Sequence, residues 1–503
     1  MSVCENMPGF ASQNLPESNV LNPFRRIFGI ETEYGISVTG TEKPVDPAVA
    51  ASILFKPIVM SCGSANTYVS NGSRLYLDVG AHPEYASAEA CNPLEALASD
   101  AAGEEILRKT ALRAENEISE KFGGLAKIHL FKNNVDSAGN SFGCHENYLI
   151  PRHVSLAALK TSLISFLVTR QIFCGAGRFA DGRFEITQRA RFVDEDISSA
   201  VTQSRPMINT RDEPHADSDK YRRLHVIIGD SNRSQIATWL KLAATHLVLC
   251  IVEYALQNND LHILEELNSL ELQNPAESMR DISGAAGENV SYFAEKKLAL
   301  ANSDKLSAMQ IQRKYLRIVK NFISQRDSVS RQAAQVLENS VFGKTAGAEE
   351  VLQLWEQSLE AVQSGELSEI SRFADWAAKK RLFDALKTKT RQISDLRIKQ
   401  LDFDYHDIVR GKTFPSLEKH GLMRTIFNRD DILKAVENPP DGTRAVLRAE
   451  FVKAARKSSR QWAADWTHAS AGTGQNRIEA QMPDPFDSVG GESFKKLMRS
   501  LKE

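Results

Sequence analysis

The chain has 503 residues, 42% of them hydrophobic, 25% charged and 8% aromatic, which suits a folded protein with a large core and argues against a disordered or fibrous one. Sixty-two Lys and Arg stand against 64 Asp and Glu, a formal charge of −2 that argues against the broad positive field of a general nucleic-acid binder. The six cysteines, at 4, 62, 91, 144, 174 and 250, form no C-x-x-C pair, so neither a zinc knuckle nor a disulfide framework is expected, and their reading is a reducing cytoplasm.

Residues 1–24 mix Pro, Asn, Ser and Glu without periodicity and hold no apolar stretch with basic flanks, so a flexible leader is expected there and not a secretory signal. From Arg25 to about Asp230, short β-rich runs are broken by Gly, Asn, Asp and Pro, with helices expected near 94–121 and 156–171. Beyond Ser234, apolar residues spaced three and four apart predict helices over 235–257, 308–323, 348–363 and 369–389. The longest strongly apolar run, 247–252, is far shorter than the roughly 20 residues a membrane span needs, so no membrane association is expected. Turn residues Pro415, Gly421, Pro439, Pro440 and Gly442 then set off a last segment. Three units are expected: the leader at 1–24, a large catalytic domain at 25–420 and a small C-terminal domain at 421–503.

Two nucleotide motifs fail. Gly343-Lys344-Thr345 resembles the end of a phosphate-binding loop, but Glu338 stands where the first glycine belongs; Cys174-Gly175-Ala176-Gly177 lacks the spacing of a dinucleotide fingerprint. What remains is polar alternation on strands. In Ile30-Glu31-Thr32-Glu33-Tyr34 a period of two puts Glu31 and Glu33 on one face, and in Arg74-Leu75-Tyr76-Leu77-Asp78-Val79 it separates Arg74, Tyr76 and Asp78 from three apolar residues. A single such strand reads equally as the wet face of a half-exposed sheet. The theme recurs, however, in His82-Pro83-Glu84 through Glu89, in His145-Glu146-Asn147-Tyr148 and in Arg223 with His225. Glu31, Glu33, Glu84 and Glu89, with His145 and His225, are candidate ligands of a divalent cation, and a set richer in hard oxygens than in imidazoles favours Mg²⁺ or Mn²⁺ over Zn²⁺. Arg74, Arg205, Arg211, Arg222 and Arg223 are candidate holders of phosphate oxygens. Together they fit phosphoryl transfer better than hydride or radical chemistry.

Gly29-Ile30-Glu31-Thr32-Glu33-Tyr34-Gly35, Asn71 through Gly80, His82 through Ala86, Lys132 through Ser137, His145 through Tyr148 and Ile208 through Asp217 closely resemble the Pup ligase and Pup deamidase family, with likeness running from about 25 to 486. The resemblance implies an α+β fold of the carboxylate-amine ligases related to glutamine synthetase: a curved antiparallel sheet cradling ATP and metal, packed with helices, plus a small C-terminal domain. Only 35 residues, 36–70, separate Gly35 from Asn71, without the long insertion typical of the deamidase, so the resemblance points to the ligase branch. It implies Glu31, Tyr76 and Glu84 as Mg²⁺ ligands, Asp78 as catalytic base, and Arg74, Ser87 and Trp466 as ATP contacts, with Ser87 where the family usually has threonine. Arg211 is added as a candidate on the phosphoryl group. The tract Phe192-Val193-Asp194-Glu195-Asp196 departs from the family's tryptophan followed by Glu-Gly.

The implied reaction joins the side-chain carboxylate of the C-terminal glutamate of Pup, after phosphorylation by ATP, to lysines of target proteins. Those proteins are thereby marked for proteasomal degradation. Pup in this family is acidic and largely disordered, and the basic run Lys379, Lys380, Arg381, Lys387, Lys389 and Arg391 is a candidate groove for it. The expected partners are thus Pup and lysine-bearing proteins, with no nucleic acid and no membrane. Two other readings stay open: a Pup deamidase or depupylase, which needs no ATP turnover, and a silent Pup-binding scaffold, which the intact Glu31, Asp78 and Glu84 disfavour.

Overall fold

The computed structural model describes residues 24–62, 64–78, 80–199, 205–325, 327–337, 347–389 and 394–502. Residues 1–23 of the leader expected at 1–24, the Gly343-Lys344-Thr345 tract and Arg391 lie outside the described residues, whereas Phe24, the last leader residue, is buried in the core against Phe322. Eight strands make one sheet: β1 (Phe28–Glu33), β2 (Asn66–Tyr68), β3 (Arg74–Leu77), β4 (Pro83–Ala86), β5 (Cys144–Pro151), β6 (Glu195–Ser198), β7 (Pro206–Asn209) and β8 (Tyr221–Val226). Their spatial order is β6-β7-β8-β5-β1-β4-β3-β2, and every neighbouring pair is antiparallel except β6 and β7. The longer helices are α1 (Pro47–Cys62), α2 (Pro93–Phe122), α3 (Leu156–Thr169), α4 (Gln235–Asn258), α5 (Ala308–Ser324), α6 (Gly347–Ser364) and α7 (Asp375–Lys389). The fold class is thus α+β, a mostly antiparallel sheet packed with helices.

Two differences from the sequence reading have simple causes. Helix α1 was not anticipated, because it is apolar nearly throughout and carries Pro57 in its interior, so no polar stripe marks it. Helix α7 begins at Asp375, since Ile370–Arg372 close a tight 3₁₀ turn before it.

Helix α4 is long and apolar enough to cross a membrane, yet 94% of its most apolar stretch is buried inside the protein, as befits a core helix. The 247–252 run understates it because buried polar residues interrupt the pattern, each with a partner. Lys241 Nζ donates to the Asp230 carbonyl at 2.8 Å, and Glu253 accepts from Arg26 at 2.8 Å. Against α3 and α4 the sheet turns its apolar face, with Phe28 and Ile30 of β1, Tyr148 and Ile150 of β5, and Leu224 and Val226 of β8 all buried. Thr32, the third inward residue of β1, donates instead to Asp100 of α2 at 2.9 Å, and Lys132 neutralises that carboxylate at 2.6 Å and Glu104 at 2.7 Å. The rear face is therefore fixed by both packing and charge.

Near the C-terminus, α8 (Ala445–Ala455), the three-stranded sheet of β9 (Trp462–Ala464), β10 (His468–Ala471) and β11 (Ile478–Gln481), and α9 (Glu492–Ser500) share an apolar cluster of Leu447, Phe451, Ala469, Phe494 and Leu497. Tyr68 of β2 joins this cluster from the large sheet. Helix Arg429–Glu437 lies against α2. The 192–196 departure sits at the β6 edge, where Arg280 donates to the Val193 carbonyl at 2.9 Å, and none of its residues lines the cleft described below.

Gly103, inside α2, shows how tightly the helix lies on the sheet, since a Cβ there would meet the Tyr85 ring at 2.4 Å. Helix propensity alone favours Gly103→Ala by about 1 kcal/mol. The expected outcome is the reverse, a net loss of about 1–3 kcal/mol from overpacking, read as a lower denaturant midpoint at unchanged slope.

Candidate active site

The site follows from strand register. On β1, Glu31 lies opposite Ala86 of β4 and His145 of β5, while Glu33 lies opposite Glu84. On β3, Tyr76 faces Glu84 and Arg74 faces Ala86; on β8, His225 faces Asn147. Alternation thus gathers Glu31, Glu33, Glu84, Tyr76, Arg74, His145, Asn147, Arg223 and His225 on the sheet face turned away from the core. The carboxylates and imidazoles that the sequence singled out are brought together.

Two clusters result. Ligand atoms of Glu31, His145 and His225 lie within 4.8 Å of one another, as do those of Glu33, Asp78 and Glu84. His145 Nδ1 is 3.0 Å from Glu31 Oε2, Asn147 donates to Glu31 Oε1 at 3.1 Å, and His225 Nε2 lies 3.6 Å from Oε2. Burial disfavours the Glu31 charge, yet hydrogen bonds and charge from His145 and His225 outweigh it and hold this carboxyl well below the usual carboxylate range. Glu84 goes the other way. It is only 3% exposed, and burial together with the charges of Glu31 and Glu33 pushes it well above that range, although Tyr76 donates to it. Burial, and then Glu84 and Glu31, raise the Tyr76 phenol strongly, so it remains protonated.

Asp78 was expected on a strand, but β3 ends at Leu77 and Asp78 opens a turn. Its N–H donates to the His82 carbonyl at 3.0 Å and its carbonyl accepts from Ala81 at 3.0 Å, with Ala81 held at φ 62°. The His82 ring, stacked on Phe142 at 4.6 Å, donates from Nδ1 to the Tyr34 carbonyl at 3.1 Å. This pinned turn carries the Asp78 carboxylate to Glu33 and Glu84. Alternation would have placed it on the same face, so the turn changes its backbone and keeps its company.

At the Phe28 end of β1 the face opens into a cleft with about 610 Å³ of free space, lined among others by Glu31, Ser87, Asn147, His215, Arg223 and Trp466. Ser87 Oγ accepts from the Ile30 N–H at 2.8 Å, which leaves its hydroxyl proton for another acceptor. Arg74 lies over the Tyr76 ring at 4.2 Å and donates to Asn66 at 2.7 Å. The guanidinium Nε of Arg223, which lines the cleft, is buried without a hydrogen-bonded protein partner, as is the Nδ1 of His225. An unpaired, buried guanidinium N–H of this kind fits a site built for an anion.

Three expectations are corrected. Arg211 is mostly exposed, pairs with Glu213 at 2.8 Å and does not line the cleft, because its own carbonyl and not its guanidinium turns toward Arg223. Glu89 is not a ligand of the acid cluster; Arg444 and Arg448 clamp it, and although burial opposes its charge they hold its carboxyl down at about 2. The basic run on α7 does not form one open face. Lys379 is buried, donates to the Ala176 and Gly177 carbonyls at 3.1 and 2.7 Å and pairs with Asp402, while Arg381 donates to Ser371 at 2.6 Å. Sequence reasoning gave no role to His215, although it lies in the 208–217 motif, and missed Arg444 and Arg448 altogether. No local signal marks them, since more than 350 residues separate each arginine from Glu89.

Clustered carboxylates beside arginines, on a mostly antiparallel sheet that ends in an aromatic-walled cleft, mark out an enzyme that handles a phosphate-bearing ligand. The model of the Pup-ligase protein family matches residues 26–470, and this chain belongs to that family. It is 46% identical over 495 residues to a Pup–protein ligase of Bifidobacterium longum, covering 98% of this chain and 97% of that one, and 45% identical over 486 residues to a Pup–protein ligase of Bifidobacterium adolescentis, covering 96% of each. Among solved structures it resembles the ligase PafA in its complex with the prokaryotic ubiquitin-like protein Pup, with a TM-score of 0.83 and 36% identity over 95% of this chain and 92% of that chain. It also resembles the Pup ligase PafA in complex with ADP, with a TM-score of 0.75 and 37% identity over 92% and 95% of the two chains.

The shift at Glu84 has a measurable consequence. A glutamate in the unfolded chain titrates at about 4.3, and Glu84 binds its proton more tightly in the fold, so its contribution to stability without metal falls as pH rises above that value. Glu84→Gln removes the repulsion. Thermal melts in chelator should show the variant gaining on the wild type from pH 5 to pH 8, and added Mg²⁺ should stabilise it less than the wild type.

Proposed function

We propose that this chain is an ATP-dependent Pup–protein ligase that joins the side-chain carboxylate of Pup's C-terminal glutamate to lysine side chains of target proteins. The observation that carries this reading is the convergence of Glu33, Asp78 and Glu84 within 4.8 Å, next to Glu31, on a face flanked by Arg74 and Arg223. Three acids so close cannot all ionise without a cation among them. Glu31, Tyr76 and Glu84 would hold Mg²⁺, which when bound screens the phosphate charge as a Lewis acid. No relative reported above is a hydrolase, and the 36–70 segment is short, so the deamidase reading is not favoured.

Each residue then has a task. Trp466 and Ser87 bind the nucleotide in the cleft, and Arg74 and Arg223 offset charge on its phosphates. The reaction runs in two steps. A carboxylate is a poor acyl donor, so the γ-phosphoryl group of ATP passes to the Pup glutamate oxygen, releasing ADP. The target lysine then attacks the glutamyl carbonyl and expels phosphate, forming the isopeptide bond. Its ammonium cannot attack until it loses a proton, and Asp78, whose turn is fixed by His82, accepts that proton. The products are marked for proteasomal degradation in the cytoplasm.

With Glu31→Ala or Glu84→Ala, the Mg²⁺ dependence of ATP binding should shift to higher concentrations, because each removes an oxygen ligand. Unchanged titrations in both variants would place the metal elsewhere. Asp78→Asn should retain fold and nucleotide binding while slowing isopeptide formation by about 10²- to 10⁴-fold. Hydroxylamine, largely unprotonated at neutral pH, separates the roles. The variant should recover a larger share of wild-type activity with hydroxylamine than with lysine, whereas equal losses with both would reject the base assignment.

A further inference from the structure

Glu89 lies three residues beyond the last residue of β4 and is 7% exposed. Both of its oxygens are taken by arginines of the C-terminal part. Arg444 Nε donates to Oε1 at 2.8 Å, Arg448 donates to Oε1 at 3.2 Å, and a second Arg448 nitrogen donates to Oε2. The arginines, both almost fully buried, carry the contact onward. Arg448 Nε donates to the Gly72 carbonyl at 2.7 Å, two residues before Arg74, and another nitrogen donates to the Trp466 carbonyl at 3.1 Å. The Arg448 guanidinium lies 4.8 Å from the centre of the Trp466 ring, against which Tyr68 packs edge-on at 5.3 Å. Arg444 donates to the carbonyls of His215 and, at 3.1 Å, of Met482.

Several chain segments therefore meet around one carboxylate, and four of them supply walls of the cleft: Ser87 with Glu89, the loop at His215, Arg444, and Trp466. The backbone is fitted to this joint, since a Cβ on Gly72 would meet the Ala445 carbonyl oxygen at 2.8 Å. Stability alone is a weak reason for such an arrangement, because a well-packed apolar core replaces buried ion pairs at little or no loss. What the joint adds is direction, with forked donors that fix the indole and the loop relative to the sheet.

We propose that Glu89 is a positioning residue for the nucleotide: through Arg448 and Arg444 it sets Trp466 and the His215 loop as the wall of the cleft, so that nucleotide affinity depends on it while the chemical step does not. This rests on reading the Trp466 cleft as the nucleotide site. In the full chain, Glu89→Gln keeps the shape and removes the charge, Arg448→Lys keeps the charge and removes the fork, and Trp466→Ala tests the wall itself. ADP affinity by calorimetry and KM for ATP should each worsen about 10- to 100-fold in the first two variants, as is typical when a supporting contact behind a ligand shell is lost. Turnover at saturating ATP and KM for Pup should remain near wild type. The double variant Arg448→Lys with Trp466→Ala should lose no more affinity than the worse single variant, since Arg448 reaches the cleft through that same ring.

Unchanged ADP affinity in Arg448→Lys would overturn the proposal, even if Glu89→Gln proved unable to fold. So would equal rises in KM for ATP and Pup, which would mean general loosening, or additive losses in the double variant. Unchanged ADP affinity in Trp466→Ala would instead remove the nucleotide reading of the cleft, and the proposal with it.

Discussion

Everything at this site depends on holding carboxylates closer than their charges permit. Glu33 and Glu84 are directly opposed across adjacent strands, Glu31 follows on the same face, and Asp78 is brought in by its turn. Two such charges in a partly dry setting repel by several kcal/mol, enough to protonate one or to recruit a cation. The protein meets this locally in two ways. His145 and His225 favour the charged form of Glu31, while Glu84, without an imidazole, binds its proton more tightly than a free glutamate and keeps a phenol for company. One acid poised low beside another poised high has a place ready for a divalent ion.

That tension is sustained from behind. A slip of one residue in β1 would turn Phe28 and Ile30 to the cleft and the glutamates into the core, so the apolar face buried on α3 and α4 is what keeps the acids opposed. Charge reinforces packing at Thr32, whose hydroxyl reaches Asp100, itself neutralised by Lys132. Removing Lys132 would leave Asp100 buried without its counter-charge, behind the Thr32 hydroxyl it holds, whereas Glu104 would keep Arg233. Buried charge here serves register more than net stability. The same economy recurs at Glu89, where ion pairs tie distant segments together at the other end of the face.

The two ends divide the work. At the Phe28 end an aromatic wall, a hydroxyl and Arg223 suit a nucleotide; at the Glu33 end carboxylates and the pinned Asp78 turn suit a cation and proton transfer. β1 runs through both, so the distance between binding and chemistry is a strand length and not a flexible hinge. This accounts for long family motifs concentrated on β1, β3 and β4, strands that contribute few residues but set the geometry between the two ends.

The sequence by itself determined which side chains share a face. Period-two alternation in Glu31-Thr32-Glu33 and Arg74-Leu75-Tyr76, with the imidazoles of 145 and 225, named most of the acid cluster, because strand geometry is local and a strand's two faces are written in consecutive residues. It likewise marked α4, α5 and α6 through their helical spacing, and it missed α1, where no polar stripe exists. Tertiary structure decided the rest. Only β-sheet register set Glu84 against Glu33, only the long return of the chain brought Arg444 and Arg448 to Glu89, and only packing turned Arg211 to solvent and Lys379 inward. Those outcomes depend on pairings whose separations run from two positions at Arg211 and Glu213 to 359 at Glu89 and Arg448, and whose energies are settled by burial and pairing in the finished fold and leave no periodic trace along the chain.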